Sequence, residues 1–249
     1  MLKKTLLAEL VATGISTSAQ AVTVDPLLLL NQGQPLFDGL AKDLSAASWM
    51  PSQNSAEPHS DGIIPVGFQV GVEVGLLSID KNAAHWQILN PSGDASTLPI
   101  PKLRASLGIP FGLDVGISYL DVPSANLSMI GYEGRMAVGK YIPVPLLDAN
   151  IRVFKSSLKA GSEISVESQG FAVMAGLDFP LAKPYVEFGT MKSTVTPNGV
   201  LGLVFNEVTT NESTYAMGVK VNLMLIAFNV EQAKIGSNDI TTVKVAFEF

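Results

Sequence analysis

The stretch Ile240–Phe249, ITTVKVAFEF, decides the fold. Val243, Val245, Phe247 and Phe249 alternate with Thr242, Lys244, Ala246 and Glu248. A strand sends successive side chains to opposite faces, so one face of this segment is wholly apolar and the other is mixed, with both charge signs. A soluble sandwich would bury the apolar face in a core. A closed sheet in a bilayer would turn it to lipid.

Composition favours the second reading. The chain has 249 residues, 47% hydrophobic and 15% charged, where soluble domains carry roughly a quarter charged residues. The most apolar stretch beyond the amino terminus, Val219 to Val230, is interrupted by Lys220, Asn222 and Asn229. It is also shorter than the ~20 residues that a spanning helix needs. A β-barrel spreads its lipid-facing residues one in two along each strand. The alternative is a large soluble β-protein with a sizeable core. There are no cysteines, so no disulfide framework or thiolate chemistry is expected. A net charge of −6 gives no basic footprint for nucleic acid, and no nucleic-acid partner is expected.

Residues 1–21 read as a signal peptide, with Lys3 and Lys4, an apolar Thr5–Ile15 interrupted by Glu9, and Ala19-Gln20-Ala21 as the site, cleaved after Ala21. Losing Lys3, Lys4 and Glu9 moves the net charge from −6 to −7. Residues 22–62 form a separate amino-terminal part. In PLFDGLAKDLSAASW (35–49), Leu36, Leu40, Leu44 and Ala47 fall at helical spacing, and Pro35 suits a first helical turn. The spacing predicts a short amphipathic helix, weakened by Gly39, that plugs the barrel, caps its periplasmic mouth or lies on the membrane. Met50–Gly62, rich in Pro, Ser and Asn, reads as a linker.

Residues 63–249 read as an all-β, transmembrane, antiparallel up-and-down barrel of about ten strands, with eight and twelve as alternatives. The segments are Ile64–Leu76, Ile100–Ile109, Leu113–Tyr119, Leu127–Lys140, a short one at Asn150–Phe154, Phe171–Phe179, Pro184–Val195, Tyr215–Leu223, Ile226–Glu231 and Ile240–Phe249. Connections at Asp80–Pro99, Asp121–Asn126, Leu158–Ser168, Thr196–Asn211 and Lys234–Asp239 would be extracellular. Those at Pro110–Gly112, Tyr141–Asp148, Pro180–Lys183 and near Met224 would be periplasmic and are on the whole shorter, as in outer-membrane barrels. Ile164 and Val166 mark Leu158–Ser168 as the place where neighbouring strands could extend.

On this register the lumen-lining candidates are Glu73, Lys102, Arg104, Asp114, Glu133, Arg135, Arg152, Asp178, Glu187, Lys220, Glu231 and Lys244, with Glu248 beside them. The signs nearly balance, which suits a packed interior of paired ions. The functional alternative is a narrow polar pathway lined by Arg104, Arg135, Arg152, Glu133 and Glu187. His59 lies in the linker and His85 beside Trp86 in the first long connection. His85 with a loop serine could imitate a Ser/His pair, but a His-Trp pair is more often a surface contact or an interface aromatic. No enzyme activity, metal or cofactor is expected: no loop has calcium-binding spacing and no phosphate-cradling glycine motif follows a strand.

The closing strand ITTVKVAFEF resembles the terminal strand of bacterial outer-membrane barrel proteins, which implies recognition by the outer-membrane assembly machinery through Phe249. The order of parts, a signal peptide, FDGLAKDLSAAS, a linker and then Gly67-Phe68-Gln69-Val70-Gly71-Val72-Glu73-Val74, resembles an uncharacterised group of predicted bacterial outer-membrane barrels. It is distantly similar to transporters of the long-chain fatty-acid type, which are longer, so none of their binding residues is carried over. The resemblance implies a monomer in outer-membrane lipid of a Gram-negative envelope. Its role would be porin-like passive transport, through a narrow or plugged pore for small or hydrophobic molecules, or structural. The rivals are a surface-binding barrel acting through its extracellular loops and a soluble secreted lipocalin-like barrel.

Overall fold

The computed structural model describes residues 26–249 except 53, 60–66, 90–95 and 143. Ten antiparallel strands, each paired with its sequence neighbours, close into a barrel. They are β1 (Phe68–Ser78), β2 (Thr97–Ile109), β3 (Leu113–Val122), β4 (Leu127–Ala137), β5 (Leu147–Ala160), β6 (Ile164–Leu177), β7 (Ala182–Pro197), β8 (Val208–Leu223), β9 (Ile226–Ile235) and β10 (Asn238–Glu248). The closing strand seals the ring against β1, with Val72 opposite Val245 and Leu77 opposite Ile240. No edge is left to pair with another chain. The expected first strand began at Ile64, and its residues before Gly67 lie outside the described ones.

The wall is apolar outside and polar inside. Val153, Phe171, Phe188, Met217 and Val243 face outward and are half-exposed, while Lys102, Arg104, Glu133, Arg152 and Lys244 are buried within. A lipocalin-like barrel would have the reverse arrangement, so the soluble alternative is corrected. On β8 the outward band runs from Tyr215 to Leu223. Eight steps of about 3.3 Å, tilted by about 40°, make a band roughly 20 Å tall, close to the hydrocarbon layer a barrel must match. Tyr119, Tyr132, Phe171, Phe188 and Tyr215 ring one side of it. Exposed Phe111, Tyr141, Leu181 and Met224 sit in the turns on the other side, where aromatic and apolar side chains meet the membrane interface.

Above the aromatic ring the pattern inverts. Lys155, Gln169 and Lys192 lie side by side on the outer face, whereas Leu158, Ile164, Val166, Met191 and Val195 point inward and are buried. Here the strands have left the bilayer and surround a water-excluding core. This corrects the boundaries. Leu158–Ser168 is not a loop, because β5 and β6 continue to Ala160 and Ile164 and meet at a tight turn where Gly161 has φ +63°. Thr196–Asn211 shrinks to residues 198–207 for the same reason.

The core that this upper wall surrounds is supplied by the amino-terminal part. Helix α1 (Gln34–Ala47) carries Pro35 in its first turn and buries Phe37, Leu40, Ala41 and Leu44. Their i, i+3, i+4, i+7 spacing makes one stripe. The stripe packs with Leu77, Ile100, Leu120, Leu158, Met191 and Ile240, which come from strands all around the ring. Phe37 stacks on Phe205 of the β7–β8 connection at 5.0 Å. A second helix, α2 (Ala84–Leu89) in the β1–β2 connection, presses buried Trp86 against the same cluster. His85 and Trp86 are therefore tied to α1, since both donate to Asp43, at 3.0 and 2.6 Å. They are neither a free surface pair nor an interface aromatic. Helix α1 occupies the loop end, the end of the 79–96 and 198–207 connections, and the chain enters and leaves the barrel at the opposite, terminal end. Of the three placements considered for this helix, a plug, a cap at the periplasmic mouth and a position on the membrane, its packing inside the ring is nearest to the plug.

Candidate functional site

From α1 the chain runs down through the lumen. Trp49 to Ala56 are buried wherever described, and their contacts descend from wall residues near the loop end to residues near the terminal mouth. Ser156 Oγ donates to the Ser48 oxygen at 2.7 Å, and Lys102 Nζ to the Trp49 oxygen at 2.6 Å. The Arg152 guanidinium donates to the oxygens of Met50 and Pro51, and Arg104 donates to Pro51. Lower down, Ser52 donates to Glu231 at 2.7 Å, and Asn150 donates to the Ala56 oxygen at 3.1 Å. An extended segment has no internal partners for its main-chain groups, so the polar wall supplies them. The residue types that suggested a linker are therefore those that satisfy a polar lumen. Room for the segment is made partly by Gly131, whose place a Cβ could not share with the Met50 sulfur.

Carboxylates and amide oxygens hold other donors of the wall cations. Glu133 lies among Arg104, Arg135 at 3.2 Å and Arg152 at 2.9 Å. Arg152 also meets Glu187 at 3.2 Å, and Arg104 meets Glu73 at 3.4 Å. The Arg152 guanidinium lies over Phe154, 4.7 Å from the ring centroid, and near Trp49 at 5.5 Å. Lys244 is held by Gln69 at 2.6 Å and Asn54 at 3.2 Å, and Lys220 by Glu248 at 2.6 Å. Asp114 pairs with His59, and Glu231 receives Tyr185 at 2.7 Å. Of the twelve lumen candidates, all but Asp178 are buried inside the ring. Asp178 lies past the end of β6, half-exposed, and pairs with Lys183 at 2.7 Å.

Near the terminal mouth the segment ends in a constellation that no sequence pattern joined. His59 Nδ1 lies 3.0 Å from Asp114 Oδ2, and its Nε2 lies 3.3 Å from Ser106 Oγ and 3.3 Å from Asn54 Nδ2. A carboxylate accepts only, so Asp114 fixes the ring proton on Nδ1 and leaves Nε2 as an acceptor. Burial lowers the His59 pKa; the bond to Asp114 opposes this without reversing it, so the ring is neutral at neutral pH. Ser106 and Asp114 belong to adjacent inward positions on β2 and β3, with Gly108 opposite Asp114 and Ser106 opposite Gly116. Forty-seven residues separate His59 from Ser106, and only the strand pairing and the threading of the segment bring them together. The signal legible in sequence was weak: one histidine in a polar stretch, and a serine and an aspartate on inward strand positions.

No protein-family model matches the chain, and no curated relative matches it. Solved structures that do match include Neisserial surface protein A, NspA, at 11% identity over 73% of this chain and 97% of that one, with a TM-score of 0.32. Outer membrane protein Omp33 of Acinetobacter baumannii matches at 8% identity over 75% and 99%, with a TM-score of 0.34. The outer membrane protease OmpT of Escherichia coli matches at 7% identity over 75% and 97%, with a TM-score of 0.39. The wall itself, apolar outside and closed, makes this chain a transmembrane barrel of the outer-membrane type, in contact with membrane lipid. The expectation that it is not an enzyme is corrected. That expectation rested on the paucity of histidines, and the lumen sets one of them between a serine and an aspartate.

Proposed function

We propose that this barrel is a narrow passage held shut by its own amino-terminal segment. The observation that supports this reading most is the direct bonding of wall cations Lys102, Arg104 and Arg152 to main-chain oxygens of residues 49–51. Displacing the segment frees these donors to water and to the oxygens of a small polar solute. The polar wall around that path gives no support to a hydrophobic cargo or to the fatty-acid-transporter likeness. On this reading the twelve charged candidates line or border the path, residues 1–21 are removed after Ala21, Phe249 is read during assembly, and the barrel works as a monomer. The loop end is extracellular, so α1 faces the cell exterior. A surface-binding role draws less support, because Phe205 and Trp86 of the long connections are engaged on the helix core.

The test is planar-bilayer conductance of the folded mature protein. Lys102→Met removes an anchor that is in no ion pair among the described residues, and Gly131→Leu crowds Met50. The wild type should be silent or flicker briefly, and each variant should open for longer. Silence of both variants, with the barrel verified as folded, would turn the reading to an envelope-structural role.

A further inference from the structure

We propose that Ser106, His59 and Asp114, with the Asn54 amide, form a nucleophile site for carboxylic esters just inside the terminal mouth of the barrel. The parts stand in the relation that serine acyl transfer needs: a hydroxyl within reach of an imidazole nitrogen, and that imidazole oriented by a carboxylate. Asp114 holds His59 twice, accepting from the ring at 3.0 Å and from the main-chain nitrogen at 3.1 Å, so the ring cannot turn away. The Asn54 oxygen accepts from Gln69 at 2.9 Å and Lys244 at 3.2 Å, which assigns the amide flip and directs Nδ2 to His59 Nε2, 3.3 Å away. Once Nε2 takes up the serine proton it no longer accepts this bond, which releases the Asn54 N–H to an oxyanion. Ser106 is three residues from the end of β2 and is buried, so a substrate reaches it by displacing the rim side chains of Glu57, Glu248 and Lys183, which keep 19%, 18% and 13% exposure.

The chemistry balances without a co-reactant other than water. Ser106 Oγ bonds to the ester carbonyl carbon as its proton passes to His59 Nε2, and the carbonyl oxygen, now an anion, faces Asn54. The imidazolium gives that proton to the alcohol oxygen as the carbon–oxygen bond breaks, leaving acyl-Ser106. Water repeats the sequence through the same nitrogen, releasing the carboxylic acid and restoring the serine. Glu248, Lys220 and Arg135 are the other charged groups that act on the ring.

The test uses the intact mature protein folded in detergent, with a fluorophosphonate probe located by peptide mass spectrometry and p-nitrophenyl butyrate as a turnover substrate. The probe should label Ser106. Ser106→Ala should abolish labelling, and His59→Gln should slow it at least ~100-fold. Asp114 is a positioning residue. Asp114→Asn should slow labelling and move its acid limb to lower pH, because the carboxylate that favours the protonated ring is gone. Ser118→Ala, a buried inward serine outside the constellation, should label like the wild type. An unlabelled folded barrel, label on a different serine, or an unchanged rate in Ser106→Ala or Asp114→Asn overturns the proposal. Labelling is read independently of conductance, so failure here leaves the closed-passage reading standing, and the converse also holds.

Discussion

Arg152 donates a hydrogen bond to the main-chain oxygen of Met50 while the same guanidinium holds Glu133 at 2.9 Å. One side chain thus joins the wall's ion network to the segment that fills the lumen. Replacing it with Met keeps much of the bulk but strands Glu133 and Glu187 without this partner. Removing one member of a buried ion cluster costs about 3–5 kcal/mol. Arg152→Met should lower the urea midpoint of the folded barrel accordingly, and pairing it with Glu187→Gln should recover part of the loss. A single-variant cost near zero would mean that water already fills this part of the lumen.

The lipid face makes a depth-dependent prediction. Val243 faces outward, between Val74 and Val230 on neighbouring strands, and Val243→Lys should destabilise the barrel in bilayers by about 2–4 kcal/mol. Thr241→Lys, one outward step nearer the polar upper wall, should cost roughly 0–1 kcal/mol. Refolding titrations into vesicles would check the difference. Equal costs at the two positions would mean the bilayer sits elsewhere on the wall.

His59 makes segment retention depend on pH. Its folded pKa lies below its unfolded value near 6.5 because burial disfavours the charged ring. The folded state therefore binds fewer protons than the unfolded one. The contribution is fully present above about 6.5 and is lost as pH falls through the folded value. Protease access to the segment in folded barrels should rise as pH falls from about 6.5 through the lower folded value, and His59→Gln should flatten that rise. Identical pH profiles for the two proteins would remove His59 as the cause.

Asp43 ties α1 to α2 and to the start of β10 at once, accepting from Trp86 Nε1 at 2.6 Å, His85 Nε2 at 3.0 Å and Asn238 Nδ2 at 2.6 Å. Asp43→Ala leaves the buried indole N–H unpaired, which costs about 1–3 kcal/mol. The thermal midpoint followed by tryptophan fluorescence should fall by several degrees, and Asp43→Asn, which keeps an acceptor, should fall less.

The number of strands, their antiparallel order and the faces they show to lipid were legible, because period-two alternation holds wherever a strand crosses the bilayer. Reading failed where alternation changes phase. On β5 the apolar side chains point outward at Ile151 and Val153 and inward at Leu158 and Ala160, so one long strand resembles a strand followed by a loop. The inner charges were legible from parity, but what they hold was not. Trp49, Met50, Pro51 and Ala56 bond through main-chain oxygens, which carry no residue-specific signal, and the Pro, Ser and Asn content around them is shared by any exposed linker. The meeting of His59 with Ser106 and Asp114 depends on a chain passing through a ring, a relation that local pattern does not encode.

That passage works like a rope through an eyelet with a stopper tied on the far side. Residues 60–67, eight in all, connect His59 to the first residue of β1 and reach at most about 29 Å when taut. Travel toward the loop end is bounded by that reach, so an outward slide lifts α1 but cannot discard it. In the other direction α1, a cylinder about 10 Å wide with its side chains, would have to unravel before it could follow the segment through a bore already crowded by arginines. The knot also dates its own tying. Since β1 and β10 close the ring around the segment, threading comes before the last strand zips, or else the free end is fed through afterwards.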